Sequence, residues 1–414
     1  MKRRRNTPAA RAAAQVAWGL AIAGLLVGVL LIEGLLRVTG LHFPNFWRSE
    51  PVLGLGMNPG ADGWYIDEGR ARVHINSDGY RDRERTQAKP AGGFRALVIG
   101  DSFTESVQVP LEDTFEQVAE RELAECPALK GRPVEVLNFG VRGFGTVQEL
   151  ELLRLRGEEF APDAVVLANN PETDLLDNLE AWDSPRGAPL LTENNARVDF
   201  TDAVDAARQK MESSLHESHD ESFPGNLWLV QLLHAGVVHW QRRNFWRKGK
   251  GNDPLSPDYP ARLAYAEPRD DHWRRAWALQ EELLDLLGRE AAAHAARVVL
   301  LLVSSPVQVF PDPAKRAEFV KLWGVDDLGY PNKRLTEIAT RLGFETVDSV
   351  PLLDAETART HLPVHGFSNT PPGVGHWNAA GHRVVGHALA EKLCAMASTP
   401  PAPPAPAPKK KKRR

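Results

Sequence analysis

A serine hydroxyl is a poor nucleophile until a base takes its proton, and two stretches of this chain carry the partners for that reaction. The first is Phe94-Arg-Ala-Leu-Val-Ile-Gly-Asp-Ser-Phe-Thr-Glu105, an apolar run that stops at a glycine, an acid and a serine. Gly100 permits a sharp turn and leaves Ser102 beyond the carboxyl end of a strand, where open α/β sheets place their ligands. The second is Gly373-Val-Gly-His-Trp-Asn-Ala-Ala-Gly-His382, a glycine-rich loop entering a helix with Asn378 as cap. His376 in that loop is the candidate base. His216 and His219 fall in a polar excursion, His382 and His387 fall inside a helix, and His365 is a loop residue close enough to assist. Attack on an acyl carbonyl also needs N–H donors where negative charge develops. The N–H of Ser102 at a helix start is one such donor. Gly143, in Asn138-Phe-Gly-Val-Arg-Gly-Phe-Gly-Thr146, is the other.

These residues must be positioned by strands. Residues 95–99, 134–137, 164–168, 298–303 and 345–347 are short apolar runs suited to burial on both faces. Between and after them, residues 113–124, 147–156, 273–296, 331–342 and 379–396 read as amphipathic helices. Alternation of strand and helix predicts right-handed crossovers and a three-layer α/β/α fold. Its parallel five-stranded sheet takes the flavodoxin-like order 2-1-3-4-5. Ser102, Gly143 and His376 then follow strands one, two and five.

Four further regions lie outside that rhythm. Residues 1–15 carry five basic residues and no acid, and residues 16–32 carry no charge at all. Continued to residue 36, this reads as a single membrane-spanning anchor, with Glu33 and Arg37 snorkelling at the far interface. The basic end stays in the cytoplasm and the body lies outside the cytoplasmic membrane. Residues 37–93 form a lead-in of loops and short strands, including 72–75, that packs on a domain over 94–397. Within the domain, residues 179–271 are a helical insertion in which 226–245 read as a short helical pair on the body or near the membrane. Residues 398–414 alternate proline and alanine and end in six basic residues, an extended tail suited to an anionic envelope polymer.

The formal charge of −4 includes eleven positive charges at the two ends, leaving −15 for the rest. A body of that sign excludes a nucleic-acid reader. Two cysteines are too few for a disulfide scaffold or a four-ligand zinc site, and no metal or cofactor is expected. Cys126 and Cys394 follow the first and last strands on helices that lie side by side, so they are either bridged or separately buried.

The motifs together resemble the SGNH (GDSL) hydrolases, a superfamily of esterases, lipases and carbohydrate O-acyl hydrolases. Gly100-Asp-Ser-Phe103 is similar to its first block, Asn138-Phe-Gly-Val-Arg-Gly143 to its second, and Asp174-Leu-Leu-Asp-Asn178 after the third strand to its third. His376-Trp-Asn-Ala-Ala-Gly-His382 is similar to its fifth. Ile75-Asn-Ser-Asp-Gly-Tyr-Arg81 resembles the lead-in of membrane-anchored bacterial members. The resemblance implies Ser102 as nucleophile, His376 as base and Gly143 as oxyanion donor. It implies an esterase acting on O-acyl, including O-acetyl, groups of an envelope glycan or on small esters. An O-acyltransferase with the same nucleophile and a silent glycan-binding scaffold are the alternatives. Two positions depart from the pattern. The third oxyanion donor is Thr173 or Asn170 in place of the usual asparagine, and Gly373 stands where the acid belongs, leaving Asp348, Asp354 or another group to orient the imidazole.

Overall fold

The two faces of the central sheet can be read from the alternation along a single strand. In the computed structural model, which describes residues 8–183, 201–216, 223–248, 259–371 and 373–399, the strand Phe94–Gly100 is buried along its whole length. Its Leu97 and Ile99 belong to one apolar cluster, and its Ala96 and Val98 to another. A strand buried on both faces needs helices above and below it, and the chain supplies them.

In chain order the elements begin with α1 (Pro8–Thr39) and two antiparallel hairpins, β1 (Trp47–Glu50) with β2 (Gly54–Met57) and β3 (Asp62–Tyr65) with β4 (Ala71–His74). The domain proper then starts with β5 (Phe94–Gly100), α2 (Ser102–Glu105), α3 (Phe115–Leu123), β6 (Val134–Gly140), α4 (Thr146–Leu155) and β7 (Ala164–Asn169). Next come α5 (Asp174–Asp183), α6 (Thr201–His216), α7 (Trp228–Lys248) and α8 (Asp271–Ala293). The chain closes with β8 (Arg297–Leu302), α9 (Pro313–Trp323), α10 (Tyr330–Leu342), β9 (Glu345–Asp348), α11 (Ser349–Thr360) and α12 (Ala379–Ser398).

The sheet runs β6-β5-β7-β8-β9, every pairing parallel, which is the 2-1-3-4-5 order. Leu150 and Leu153 of α4, Leu283 and Leu287 of α8 and Leu335 and Ile338 of α10 cover one face. Phe115 and Leu123 of α3, Leu353 of α11 and Leu389 and Leu393 of α12 cover the other. On that second face Cys126 and Cys394 are joined as a disulfide, with Cα atoms 5.6 Å apart. The lead-in hairpins close a third, smaller core of Phe46, Met57, Tyr65, Val73 and Ile75, to which Val107 of the domain contributes.

Residues 226–245 form no helical pair: α7 is one continuous helix preceded by a turn at 223–226. Gly236 is its only weak helix former by backbone freedom, and a single glycine costs only about 1 kcal/mol in a helix. α9 and α11 were not legible as helices; each begins at an aspartate cap, Asp312 and Asp348, whose side chain accepts an N–H of the first turn. Among the described residues α1 is the one helix long and apolar enough to cross a membrane, with a mean hydropathy of 2.4 in its most apolar 18-residue window within Arg11–Thr39. Glu33 near its end is held by the protein. Its carboxylate pairs with Arg37 at 2.7 Å and accepts the N–H groups of Trp228 and Leu229 at 3.1 and 3.0 Å, capping α7. Residues 2–5, parts of the insertion including His219, and the tail beyond 399 lie outside the described residues.

Candidate active site

The turn that carries Ser102 is fixed from both sides. Asp101 caps α2: its Oδ1 accepts the Phe103 N–H at 2.8 Å. Its Oδ2 accepts the Asn170 amide at 3.1 Å and the Thr173 hydroxyl at 3.4 Å. Burial pushes the Asp101 carboxyl above its ordinary pKa, against the pull of these bonds. At the other end of α2, Ser106 takes a left-handed conformation with φ 56°, and its hydroxyl donates to the Phe103 carbonyl at 2.7 Å. The fully buried Arg81 guanidinium donates to the carbonyls of Ser106 and Val109. The Ser-Asp-Gly-Tyr-Arg run of the lead-in therefore ends in a clamp behind the helix that starts at Ser102.

His376 reaches this turn from the loop before α12. Its Nε2 lies 2.8 Å from Ser102 Oγ, and its Nδ1 lies 2.6 Å from Oε2 of Glu68. Oε1 of the same carboxylate accepts the backbone N–H of His376 at 2.7 Å. With Nδ1–H donating to the carboxylate, Nε2 is the free lone pair that faces the hydroxyl. Burial opposes both charged forms, yet the Glu68 charge and its hydrogen bond lift the imidazole above its ordinary value, and His376 holds the Glu68 carboxyl below its own. The side chain of Glu68 is 8% exposed and that of His376 23%. Gly375 makes this approach feasible: it sits at φ +98°, and a Cβ there would collide with Glu68 Oε1.

Asp348 and Asp354, the carboxylates expected behind the histidine, are elsewhere. Asp348 Oδ1 caps α11 through Val350 N–H and accepts the Asn332 amide at 2.8 Å, because β9 runs straight into that helix. Asp354 is ion-paired with Arg316. His365 does not assist the serine either. Its Nε2 meets Ser304 Oγ at 3.0 Å and its Nδ1 meets the Gly375 carbonyl at 2.6 Å, and burial pushes its pKa down to about 4. It is a neutral brace for the histidine loop.

The β6–α4 loop is pinned against α2. Val141 N–H donates to the Gly100 carbonyl at 3.0 Å, and Arg142 N–H to Glu105 Oε2 at 2.9 Å. Gly143 follows at φ +72°, a conformation that favours glycine, and nothing stands within 4 Å of where a Cβ would be. Among the described residues neither its N–H nor that of Ser102 has an acceptor. Two free donors thus flank the serine, at the start of α2 and in the loop beside it. Thr173 is exposed and Asn170 buried, and both direct a donor to Asp101, so each braces the turn.

Beside the site lies a cavity of about 540 Å³. Trp47, Trp64, Tyr65, Asp67 and Arg142 line one wall, and α7 closes the other. Arg142 and Asp67 are the sequence neighbours of Gly143 and Glu68, so cavity and site share a border. The Arg142 guanidinium stacks 3.5 Å from the Trp47 ring centroid and pairs with the buried Glu105 at 2.9 Å. Among the described residues one acid–histidine cluster has the spacing to ligate a metal ion, Glu158, Glu290 and His294, and it uses none of the site residues.

No protein-family model matches the chain, and no curated protein matches it. Solved structures do. LAE5, an α/β hydrolase enzyme from the metagenome of Lake Arreo, is 15% identical over 73% of this chain and 96% of its own, with a TM-score of 0.36. A putative lipolytic protein of the G-D-S-L family from Desulfitobacterium hafniense is 9% identical over 73% and 100%, at 0.34. A point mutant of Axe2, an acetyl-xylooligosaccharide esterase from Geobacillus stearothermophilus, is 12% identical over 73% and 95%, at 0.35. The loops that carry Ser102, Gly143 and His376 thus meet at one edge of a parallel α/β sheet of order 2-1-3-4-5.

Proposed function

We propose that the protein is a serine esterase of the SGNH type. The observation that carries this reading is the unbroken chain from Ser102 Oγ through both imidazole nitrogens of His376 to the Glu68 carboxylate. Ser102 attacks an ester carbonyl while His376 Nε2 takes the hydroxyl proton. Glu68 stabilises the imidazolium so formed and keeps the ring oriented. The N–H groups of Ser102 and Gly143 receive the oxyanion, and Asn170 has a second amide hydrogen for it. Collapse of the tetrahedral adduct expels the alcohol, which takes the proton from His376. Water, deprotonated by the same imidazole, then releases the acid and regenerates Ser102. An acid behind the histidine favours this reading over a silent scaffold.

The cavity beside the site supports a sugar as the substrate class. Flat rings at Trp47, Trp64 and Tyr65 with Arg142 and Asp67 among them suit a sugar, whose C–H faces stack on aromatic rings while its hydroxyls take polar partners. An O-acyl, including O-acetyl, ester of an envelope glycan fits that description. α1 anchors the chain, with the catalytic domain outside the cytoplasmic membrane. The test is hydrolysis of an aryl acetate by the purified full-length protein beside Ser102→Ala. A rate that falls to the uncatalysed background in the variant is expected, and equal rates in the two proteins would refute the assignment.

A further inference from the structure

We propose that α7 is a bilayer-interface helix, seated on the outer leaflet of the membrane that holds α1; this rests on α1 being a membrane span. Three observations point the same way. First, the first thirteen residues of α7, Trp228-Leu-Val-Gln-Leu-Leu-His-Ala-Gly-Val-Val-His-Trp240, are mostly apolar, yet none of them is buried. A stretch of that length is too short to span a bilayer and in a soluble fold would sit in the core. Leu233, Val237 and Trp240, spaced as one helix face, are 62%, 52% and 65% exposed, and Phe223 just before the helix is 77% exposed.

Second, the N-terminus of α7 is tied to the end of α1. Glu33 caps it, Arg37 lies over the Trp228 ring at 5.3 Å, and His42 stacks on the same ring at 4.0 Å. The apolar face therefore starts at the level where α1 leaves the hydrocarbon. Third, beyond Arg242 the sequence runs Arg243-Asn-Phe-Trp-Arg-Lys248, a basic and aromatic composition of the kind that anionic headgroups and the interfacial belt favour. The opposite side of α7 is turned to the protein: Gln231, Ala235 and Val238 line the cavity, and Arg242 pairs with Asp67 at 3.4 Å. One helix thus roofs the cavity and faces the lipid.

The native cysteines are paired, so a single introduced cysteine can be labelled. Full-length protein in nanodiscs of phosphatidylethanolamine and phosphatidylglycerol, carrying a bimane at Leu233→Cys or Val237→Cys, is quenched in turn by nitroxide-labelled lipid and by iodide. Both labels should lose most of their fluorescence to the lipid nitroxide and little to iodide, and a label at Ser213→Cys, exposed on α6, should do the reverse. A label at Leu25→Cys in α1 reports on the anchor independently. Lipid quenching at position 25 with iodide quenching at 233 and 237 overturns the proposal alone. Shielding from both quenchers at 233 and 237, as a second copy would give, overturns it too. Iodide quenching at position 25 removes the anchor and the proposal together.

Discussion

Glu68 sets the working state of His376. A carboxylate that lifts the imidazole above its ordinary value places the acid limb of the pH–rate profile above about pH 6.5, since only neutral His376 can take the serine proton. Activity then rises as pH increases through that raised value. Glu68→Gln removes the charge, so the limb moves to lower pH while the plateau falls. A loss of roughly 10²–10⁴-fold in kcat is expected, as for the acid of other serine triads. A limb that stays in place in Glu68→Gln would show that the carboxylate does not act on the imidazole. Ser102 and His376 were legible because each lies in a glycine-rich junction at a strand or helix end. Glu68 was not. It sits in a polar Asp-Glu-Gly-Arg turn 308 residues before the histidine, and only the fold brings the two together. The signal it did leave is on the other partner: Gly375, beside His376, is a glycine because the carboxylate occupies the space of its Cβ.

At the scale of elements, the lead-in supplies side chains that contact the proposed site. The β3–β4 hairpin carries Glu68 in its turn, and the segment after β4 carries Arg81, whose guanidinium satisfies two carbonyls behind α2. Arg81→Met leaves the Val109 carbonyl without a donor, at about 1–3 kcal/mol, and the Ser106 carbonyl with only the long Val109 N–H bond at 3.5 Å. Lower thermal stability together with reduced kcat is expected, measured by thermal melts and ester turnover on the same preparation. Unchanged turnover would show that α2 holds its geometry without the clamp. The five strands were legible because burial on both faces writes a continuous apolar run. The extent of α7 was not, because its apolar residues serve two faces, the cavity wall at Ala235 and Val238 and the exposed side at Leu233, Val237 and Trp240, and so leave no single stripe in the sequence.

For the whole molecule, the Cys126–Cys394 bridge ties the end of α3 to α12, the helix that His376 leads into. It links positions 268 residues apart, and closing so long a loop restricts the unfolded chain. Removing it by Cys126→Ala with Cys394→Ala should lower stability by roughly 2–4 kcal/mol, read as a fall in denaturation midpoint. An unchanged midpoint would mean that the α3–α12 packing alone suffices. The placement of two cysteines on neighbouring helices was readable from topology, but whether the thiols met depended on side-chain geometry that no pattern encodes.

All of this rests on Ser102 being a nucleophile activated by His376 and Glu68. The direct measurement is intact-protein and peptide mass spectrometry after brief exposure of the full-length protein to an aryl phosphonate. A single adduct on Ser102 is expected, absent from Ser102→Ala and formed far more slowly in Glu68→Gln. No adduct, or one on another residue, would contradict the account.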